Sequence, residues 1–276
     1  MRVPPEPALL ALERARGKKV LVLTGAGISA ESGIPTFRGQ DGFWKVGSRN
    51  YHPQELATRE AFDQMPEAIW AWYLYRRGVC RGAEPNEAHR SLVKLEEALG
   101  NRFVLVTQNV DGLHLRAGSS RTRTLEIHGN VEYMRCAAAC VPRVPEALVP
   151  LPGEIEVAWA KDRALGKEEL ALLRCPKCGG WSRPHVLWFD EFYDEEIFRA
   201  GSALSAADEA DLLIVAGTAG QTNLPRQIVA RVAARKVPVL VIDTEETVFW
   251  ELAWSSGGAD LRGKASEWIP VLVERL

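Results

Sequence analysis

A glycine-rich turn follows a short apolar run near the start of the chain. Residues 20–23 predict a buried strand, and Gly25, Gly27 and Gly33 punctuate the segment after it. At the end of a first parallel strand, such a turn offers bare backbone N–H groups to a pyrophosphate. The spacing departs from the G-x-G-x-x-G fingerprint with an acidic residue about twenty positions later, which disfavours an ordinary hydride-transfer dehydrogenase. Steric needs alone also place glycine in many strand-to-helix turns.

A second set of polar residues follows another apolar run. Residues 103–107 predict a strand, and Gln108, Asn109 and Asp111 come directly after it. Ligands of open parallel sheets bind at the carboxyl ends of the strands, where amide and carboxylate groups suit a carboxamide or a ribose. His128 lies further on, beside a glycine. An unperturbed histidine is largely neutral at cellular pH and can accept a proton, although a buried structural role is the simpler reading of a lone histidine.

Cysteines form two close pairs, which is the spacing that tetrahedral zinc requires. The ligand candidates are Cys136, Cys140, Cys175 and Cys178. Thiolates a few positions apart on tight turns bind one metal ion, and four sulfur ligands leave no open position for water. The sequence therefore predicts a structural zinc ion, with two disulfides as the alternative. Cys80 stands alone and is expected to be a buried apolar residue.

The apolar runs must form the scaffold that positions these groups. Buried strands are predicted at residues 18–24, 102–107, 211–216 and 237–243, and helices between them, such as 86–99 and 224–235. This alternation predicts an α/β fold with a Rossmann-like parallel sheet, built from residues 1–40, 86–130 and 183–276. Two stretches break the alternation, and we assign them to a smaller inserted lobe with a helical part (41–85) and a zinc-binding part (131–182). A ligand is expected in the cleft between the lobes.

The amino-acid composition limits the size of the core, the partners and the location that we expect for this protein. The chain has 276 residues, a net charge of −2 and 46% hydrophobic residues, which is enough to bury a full α/β core. Basic and acidic residues are interspersed, so neither nucleic acid nor a membrane is an expected partner. No apolar run is long enough to span a bilayer and the first residues do not form a signal peptide, so we expect a cytoplasmic protein.

Three motifs, in order, resemble those of the sirtuin family of NAD-dependent protein-lysine deacylases. They are G-A-G-x-S-x-x-S-G-I-P-x-F-R at residues 25–38, T-Q-N-x-D-x-L-H at 107–114 and H-G at 128–129. The resemblance implies NAD as co-substrate, one structural zinc ion and an acylated lysine of a protein or peptide as partner. In the family's reaction the acyl-lysine oxygen attacks the nicotinamide ribose, nicotinamide leaves, and the acyl group passes to ADP-ribose. A base must then activate a ribose hydroxyl.

The resemblance also implies roles for individual residues. His128 is the implied base, and Asn109 is the second implied catalytic residue. Ser29 either donates to a phosphate or caps the following helix. The implied cofactor-binding set is Gly25, Ala26, Gly27, Ser29, Phe37, Arg38, Gln108, Asn109, Asp111, Gly217, Thr218, Asp243 and Ala265.

The substrate side resembles the branch that removes succinyl and malonyl groups. Tyr73 and Arg76 lie three apart on a helix-like run, so a phenol and a guanidinium share one face and suit a carboxylate. Thr36 stands where many deacetylases of the family carry aspartate. In the R-P-x-V-x-x-F-G-E segment, which pairs with the substrate backbone, the implied lysine-channel residues are His185, Val186 and Phe189, and Asp190 replaces the family's glycine.

Two other classes of function remain open from the sequence. The same cleft in an ADP-ribosyltransferase or NAD hydrolase would break the same glycosidic bond. A non-catalytic NAD sensor is the other alternative, because Ala219 and Asp243 depart from the family pattern on the adenosine side. A sensor would tolerate loss of the His128 imidazole, whereas an enzyme would not.

Overall fold

The computed structural model describes residues 2–35, 44–46, 49–155 and 164–276. Over these residues the chain alternates between strands and helices. The strands are β1 (Val20–Thr24), β2 (Trp44–Val46), β3 (Arg49–Tyr51), β4 (Phe103–Thr107), β5 (Thr124–Glu126), β6 (Gly129–Cys136), β7 (Val149–Pro150), β8 (Ser182–Val186), β9 (Leu212–Ala216), β10 (Val239–Asp243) and β11 (Ala259–Arg262). The helices are α1 (Glu6–Ala15), α2 (Pro53–Leu56), α3 (Arg59–Gln64), α4 (Pro66–Gly82), α5 (Glu87–Leu99), α6 (Leu113–Ala117), α7 (Lys167–Leu172), α8 (Ala200–Glu209), α9 (Asn223–Ala234), α10 (Trp250–Ser255) and α11 (Ala265–Val273).

The main sheet has the doubly wound order that the sequence predicts. Among the described residues it contains six parallel strands in the order β11-β10-β9-β1-β4-β5. The chain builds outward from β1 through β4 to β5, and then returns to the other side of β1 with β9. The strand order therefore reverses between β1 and β9, which is where ligands of such sheets bind. The predicted α/β fold is confirmed.

Both faces of this sheet are buried, which explains why its strands are continuous apolar runs rather than alternating ones. Val22 and Leu105 face one core with α1, α5 and α11, whereas Leu23 and Val106 face the opposite core with α8, α9 and α10. Successive residues of a strand point to opposite faces, so one run supplies both cores. The sheet is thereby fixed from both sides, and its carboxyl edge is a rigid platform.

A third core lies outside the main sheet. Besides the antiparallel pair of β2 and β3, the described residues form a three-stranded antiparallel sheet in the order β7-β6-β8. This sheet packs with α3 and α4 around large side chains such as Phe62, Trp70 and Trp188. Within the described part of the chain, β8 pairs with β6 on one side and with no strand on the other. The domain boundaries given above remain a prediction. Strand β6 begins at Gly129 and strand β8 at Ser182, so these two strands cross the predicted boundaries at 130 and 182.

Two short edge strands were not predicted from the sequence. β5 and β11 have three and four residues, and both include charged residues that mask the apolar pattern. The long buried strands and helices α5 and α9 lie within two residues of their predicted ends. Of the described helices, none is both long and apolar enough to cross a membrane.

Candidate functional site

The turns after β1 and β9 touch each other at the point where the strand order reverses. The Gly25 N–H donates to the Ala216 carbonyl oxygen at 3.0 Å, and the Gly27 N–H donates to the Gly217 carbonyl oxygen at 2.9 Å. A Cβ on Gly25 would lie 2.6 Å from the Thr218 Cβ, and one on Gly27 would lie 2.6 Å from the Gly217 Cα. The N–H groups of Gly25 and Gly27 are therefore not bare, and the contact of this turn with a cofactor remains a prediction. They are glycines because two backbones approach closely.

Three buried polar side chains from β1 and β4 turns form one hydrogen-bonded group. The Ser29 hydroxyl donates to Asp111 Oδ2 at 2.8 Å and accepts from Asn109 Nδ2 at 3.1 Å. Asp111 Oδ1 accepts from the Leu113 N–H at 2.9 Å. Burial raises the pKa of Asp111, and these bonds oppose that shift. Ser29 thus orients the carboxylate, and the alternative in which its hydroxyl caps a helix is not what the structure contains.

Gln108 links the two sides of the cleft. Its Nε2 donates to Thr218 Oγ1 at 2.8 Å, and its Oε1 accepts from Thr222 Oγ1 at 3.1 Å. The side-chain amide therefore joins the turn after β4 to the turn after β9. Its hydrogen bonds fix the spacing of the two turns between which a ligand would lie.

His128 is held in a single tautomer. Its Nδ1 lies 3.0 Å from the Gln108 carbonyl oxygen, which can only accept, so Nδ1 carries the proton. Nε2 therefore carries the lone pair of the ring and can only accept a hydrogen bond. Burial lowers the pKa of His128, a partly exposed residue, to about 4, and the Gln108 hydrogen bond opposes the shift. The imidazole is neutral at cellular pH and can accept a proton at Nε2.

The sequence did not identify one contact of this histidine. The Tyr193 hydroxyl lies 2.7 Å from His128 Nε2, although the two residues are 65 positions apart in the chain. Burial raises the pKa of Tyr193 to about 12, and a hydrogen bond with Thr222 opposes the shift. The only available signal was an aromatic hydroxyl a few residues after the R-P-H-V segment, which by itself points to no role.

Tyr73 and Arg76 both lie on α4. The Tyr73 hydroxyl accepts from Trp188 Nε1 at 2.9 Å, and the side chain is buried. Burial raises the pKa of Tyr73 to about 12, and the positive charge of Arg76 opposes that shift. The same charge also opposes the raised pKa of Asp111. The Arg76 guanidinium lies 5.4 Å from the Trp72 ring centroid, and its predicted contact with an acyl carboxylate remains a prediction.

The predicted lysine-channel residues have different surroundings. The His185 ring is buried and stacks on Phe198, with a centroid distance of 5.4 Å. Val186 packs in the core of the smaller lobe. Phe189 is 58% exposed, while its N–H donates to the Ala57 carbonyl oxygen at 2.9 Å. Their common role in one channel remains a prediction.

Asp190 has a structural explanation. Its carboxylate accepts from the N–H groups of Arg59 at 2.8 Å and Glu60 at 3.2 Å, at the start of α3. A carboxylate at a helix N-terminus is stabilised by the unpaired N–H groups and the helix dipole. This residue therefore ties the segment after β8 to α3, which a glycine could not do.

The remaining predicted residues are Asp243, Ala265, Phe37 and Arg38. Asp243 ends β10, and its Oδ1 accepts from the Glu245 N–H at 3.2 Å. Ala265 begins α11 and is buried against the core. Their contacts with a cofactor remain predictions. Thr36, Phe37 and Arg38 lie outside the described residues.

Comparison with known proteins identifies the family. The model of the Sir2 family matches residues 25–223. The chain belongs to the Sir2, or sirtuin, family. The NAD-dependent protein deacylase of Leptospira interrogans is 37% identical over 267 residues, covering 95% of each chain. A Sir2 homologue solved with NAD has a TM-score of 0.76 and 34% identity, and the match covers 99% of this chain and 95% of that one. A mutant Sir2 homologue with 2′-O-acetyl ADP ribose has a TM-score of 0.76 and 36% identity, covering 96% and 94%.

The four paired cysteines of this sirtuin are placed to hold one zinc ion. Their sulfur atoms all lie within 4.8 Å of one another. Cys136 and Cys178 have sulfurs 3.7 Å apart, and those of Cys140 and Cys175 are 3.5 Å apart. Tetrahedral zinc with Zn–S bonds of about 2.3 Å requires sulfurs about 3.8 Å apart. The residues present therefore fit zinc, and four thiolates leave no position for a reacting water. The ion's role is structural.

Buried histidines make the stability of this sirtuin depend on pH. Burial lowers the pKa of His89 and His128 to about 4, that of His185 to about 3 and that of His114 well below 6.5. Between about pH 6.5 and pH 4 the unfolded chain binds protons at these positions and the native state does not. Each histidine then lowers the free energy of unfolding by up to about 1.4 kcal/mol per pH unit of acidification.

Urea unfolding should therefore show a lower midpoint at pH 5 than at pH 7. Asp111, with a raised pKa, and Glu126, whose pKa burial raises to about 7, have the opposite effect, but four histidines outweigh two carboxyls. His185→Phe keeps a ring that can stack on Phe198. In this variant the fall in the urea midpoint between pH 7 and pH 5 should be smaller, because one of the four buried histidines is missing. The exposed His52 serves as the control through His52→Gln. An identical decrease in all three proteins would contradict this explanation.

Proposed function

We propose that this protein is an NAD-dependent protein-lysine deacylase that favours the acidic acyl groups succinyl and malonyl. The observation that carries the deacylase assignment is a neutral His128 whose Nε2 lone pair can accept a proton, positioned by Gln108. The next residue along, Asn109, belongs to the hydrogen-bonded group with Ser29 and Asp111. The proposed base thus follows β5, the proposed carboxamide-binding set follows β4, and the Gln108 carbonyl oxygen joins the two.

Each of these groups has a proposed task. Asn109 and Asp111 would bind the nicotinamide carboxamide and the ribose, with Ser29 holding the carboxylate in place. The turn at Ala26 and the turn at Gly217 and Thr218 would hold the pyrophosphate side. NAD supplies the glycosidic bond that breaks and the ribose that receives the acyl group. His128 would accept the proton of a ribose hydroxyl at Nε2, and its low pKa keeps that atom unprotonated.

The experiment that tests the assignment measures nicotinamide release with and without peptide. We expect NAD alone to give little release and a succinyl-lysine peptide to raise the rate by at least tenfold. Release at the same rate without peptide would favour an NAD hydrolase. Transfer of ADP-ribose to the peptide would favour an ADP-ribosyltransferase. The comparisons with known proteins favour neither of these alternatives.

The preference for acidic acyl groups rests on Tyr73 and Arg76. A guanidinium beside a phenol matches the negative charge and acceptor oxygens of a carboxylate, and partial burial strengthens that attraction. The positive charge of Arg76 reaches both Tyr73 and Asp111, so an acyl group between them would lie close to it. An acetyl group has no carboxylate and gains nothing from this pair.

Arg76→Met should lower kcat/KM on succinyl- and malonyl-lysine peptides by about 10- to 100-fold, because a charge-assisted hydrogen bond is lost. The acetyl-lysine peptide should change by less than about threefold. Arg174 also stacks on a tryptophan but lies in the cysteine-containing segment, so Arg174→Met is the matched control. An equal loss on all three peptides would remove the basis of the specificity assignment.

A further inference from the structure

The hydroxyl of Tyr193 is hydrogen-bonded to Nε2 of His128, the atom at which the proposed base must accept a proton. His128 Nδ1 is bonded to the Gln108 carbonyl oxygen, so Nε2 is the one ring nitrogen with a lone pair. Tyr193 donates its hydroxyl proton to that lone pair at 2.7 Å. An imidazole nitrogen has a single lone pair in the ring plane. A ribose hydroxyl can therefore donate to Nε2 only after the phenol has left.

The imidazole is fixed more firmly than the phenol. Besides the Nδ1 contact, the His128 carbonyl oxygen accepts from the Leu187 N–H at 2.9 Å. Gln108, which supplies the Nδ1 acceptor, is itself bonded to Thr218 and Thr222. Tyr193 is held through its hydroxyl, which donates to His128, and the residue is partly exposed. When a ribose hydroxyl competes with the Tyr193 hydroxyl for Nε2, the tyrosine is therefore the side chain that moves.

The backbone around Tyr193 is anchored on both sides. Asp190 accepts two N–H groups of α3, and Glu191 pairs with Arg183 at 2.8 Å. After the tyrosine, Asp194 Oδ1 accepts from the N–H groups of Ile197 at 3.0 Å and Phe198 at 3.2 Å. The hydroxyl therefore leaves by rotation of the side chain and not by displacement of the segment.

We infer that Tyr193 is a gate on the base: its hydroxyl holds the Nε2 lone pair of His128 until a ribose hydroxyl of the dinucleotide displaces it. This inference rests on the proposed function. The ribose hydroxyl can hydrogen-bond to Nε2 only after the Tyr193–His128 hydrogen bond has broken. The gate therefore lowers the affinity of the protein for the dinucleotide. Tyr193 is a positioning residue, and it does not take part in the proton transfer. Tyr193 therefore affects the affinity for the second ribose of the dinucleotide, the one that receives the acyl group.

The test compares two stable ligands, ADP-ribose and ADP, by isothermal titration calorimetry. ADP-ribose carries the second ribose and ADP lacks it. In Tyr193→Phe we expect ADP-ribose to bind about three- to tenfold more tightly, which is the worth of one neutral hydrogen bond, and ADP to bind unchanged. In turnover with a peptide, KM for NAD should fall in the same proportion while kcat changes by less than about twofold.

Two further variants make the result decisive. Tyr193→Leu removes the hydroxyl in a different way and should also tighten ADP-ribose binding. Tyr133→Phe is the matched control, because the Tyr133 hydroxyl accepts from Arg121 elsewhere and its loss should alter neither ligand. Unchanged ADP-ribose affinity in both Tyr193 variants would overturn the gate. So would a tenfold fall in kcat for Tyr193→Phe, because that result would make the phenol a proton relay. If the wild-type protein binds neither ligand, the proposed function fails instead.

Discussion

His128→Ala is expected to lower kcat for peptide-dependent deacylation by about 10²- to 10⁴-fold, the range that removal of a positioned general base produces. The imidazole is neutral because burial lowers its pKa to about 4, and its Nε2 is the proton-accepting atom. The measurement is single-turnover formation of the acyl-ADP-ribose product at saturating NAD and peptide. Affinity for ADP-ribose should change by much less than the rate, because Ser29, Asn109 and Asp111 remain bonded to one another.

The control for this variant is His52→Ala, which alters an exposed histidine. A His128→Ala protein that keeps more than a third of the wild-type rate would contradict the assignment of the base. It would also revive the non-catalytic sensor, for which loss of the imidazole has no consequence. A low pKa further predicts that kcat/KM does not fall near pH 6.5 as it would for an unperturbed histidine.

Cys175→Ser is expected to cause the largest loss of stability. Structural zinc in small modules contributes on the order of 10 kcal/mol to folding, so loss of one thiolate should remove several kcal/mol. The cysteine module forms part of the same lobe as the core around Trp70 and Trp188, because the segments carrying the ligands adjoin β6 and β8. We expect a fall in Tm of more than about 10 °C and less bound zinc, measured by calorimetry and elemental analysis.

Cys80→Ala is the matched control for the zinc variant. Cys80 is buried, and burial raises the pKa of its thiol to about 12, but it lies on α4 away from the other cysteines. This variant should keep one zinc ion per chain. A wild-type protein with no zinc and two disulfides by mass would overturn the metal assignment and support the alternative left open by the sequence.

The strands that carry the site could be predicted because they are buried on both faces. β1, β4, β9 and β10 are continuous apolar runs, and each was located to within two residues at both ends. Polar residues directly after such runs must lie at the carboxyl edge of a parallel sheet. The positions of Asn109 and Asp111 therefore followed from local sequence alone. The edge strands β5 and β11 did not, because short strands with charged residues have no distinctive periodicity.

The glycine turn shows where a local interpretation fails. The sequence predicts the turn correctly, but it does not reveal that the Gly25 and Gly27 N–H groups bond to β9 and the turn after it. The neighbouring backbone at Gly217 is almost two hundred residues away along the chain. Only the packing of β9 beside β1 brings it close enough to exclude a Cβ.

By itself the sequence determined the fold class, the carboxyl edge that carries the site and the cysteine set, because each depends on local periodicity or spacing. The candidate base followed from the resemblance of the H-G motif at residues 128–129 to the sirtuin family. The tertiary structure alone decided which groups touch. It joined Ser29 to Asp111 across 82 residues and Tyr193 to His128 across 65. The physical reason is that a hydrogen bond depends on the separation and direction of two atoms in space. Those are set by how distant segments pack, and no local pattern in the chain encodes them.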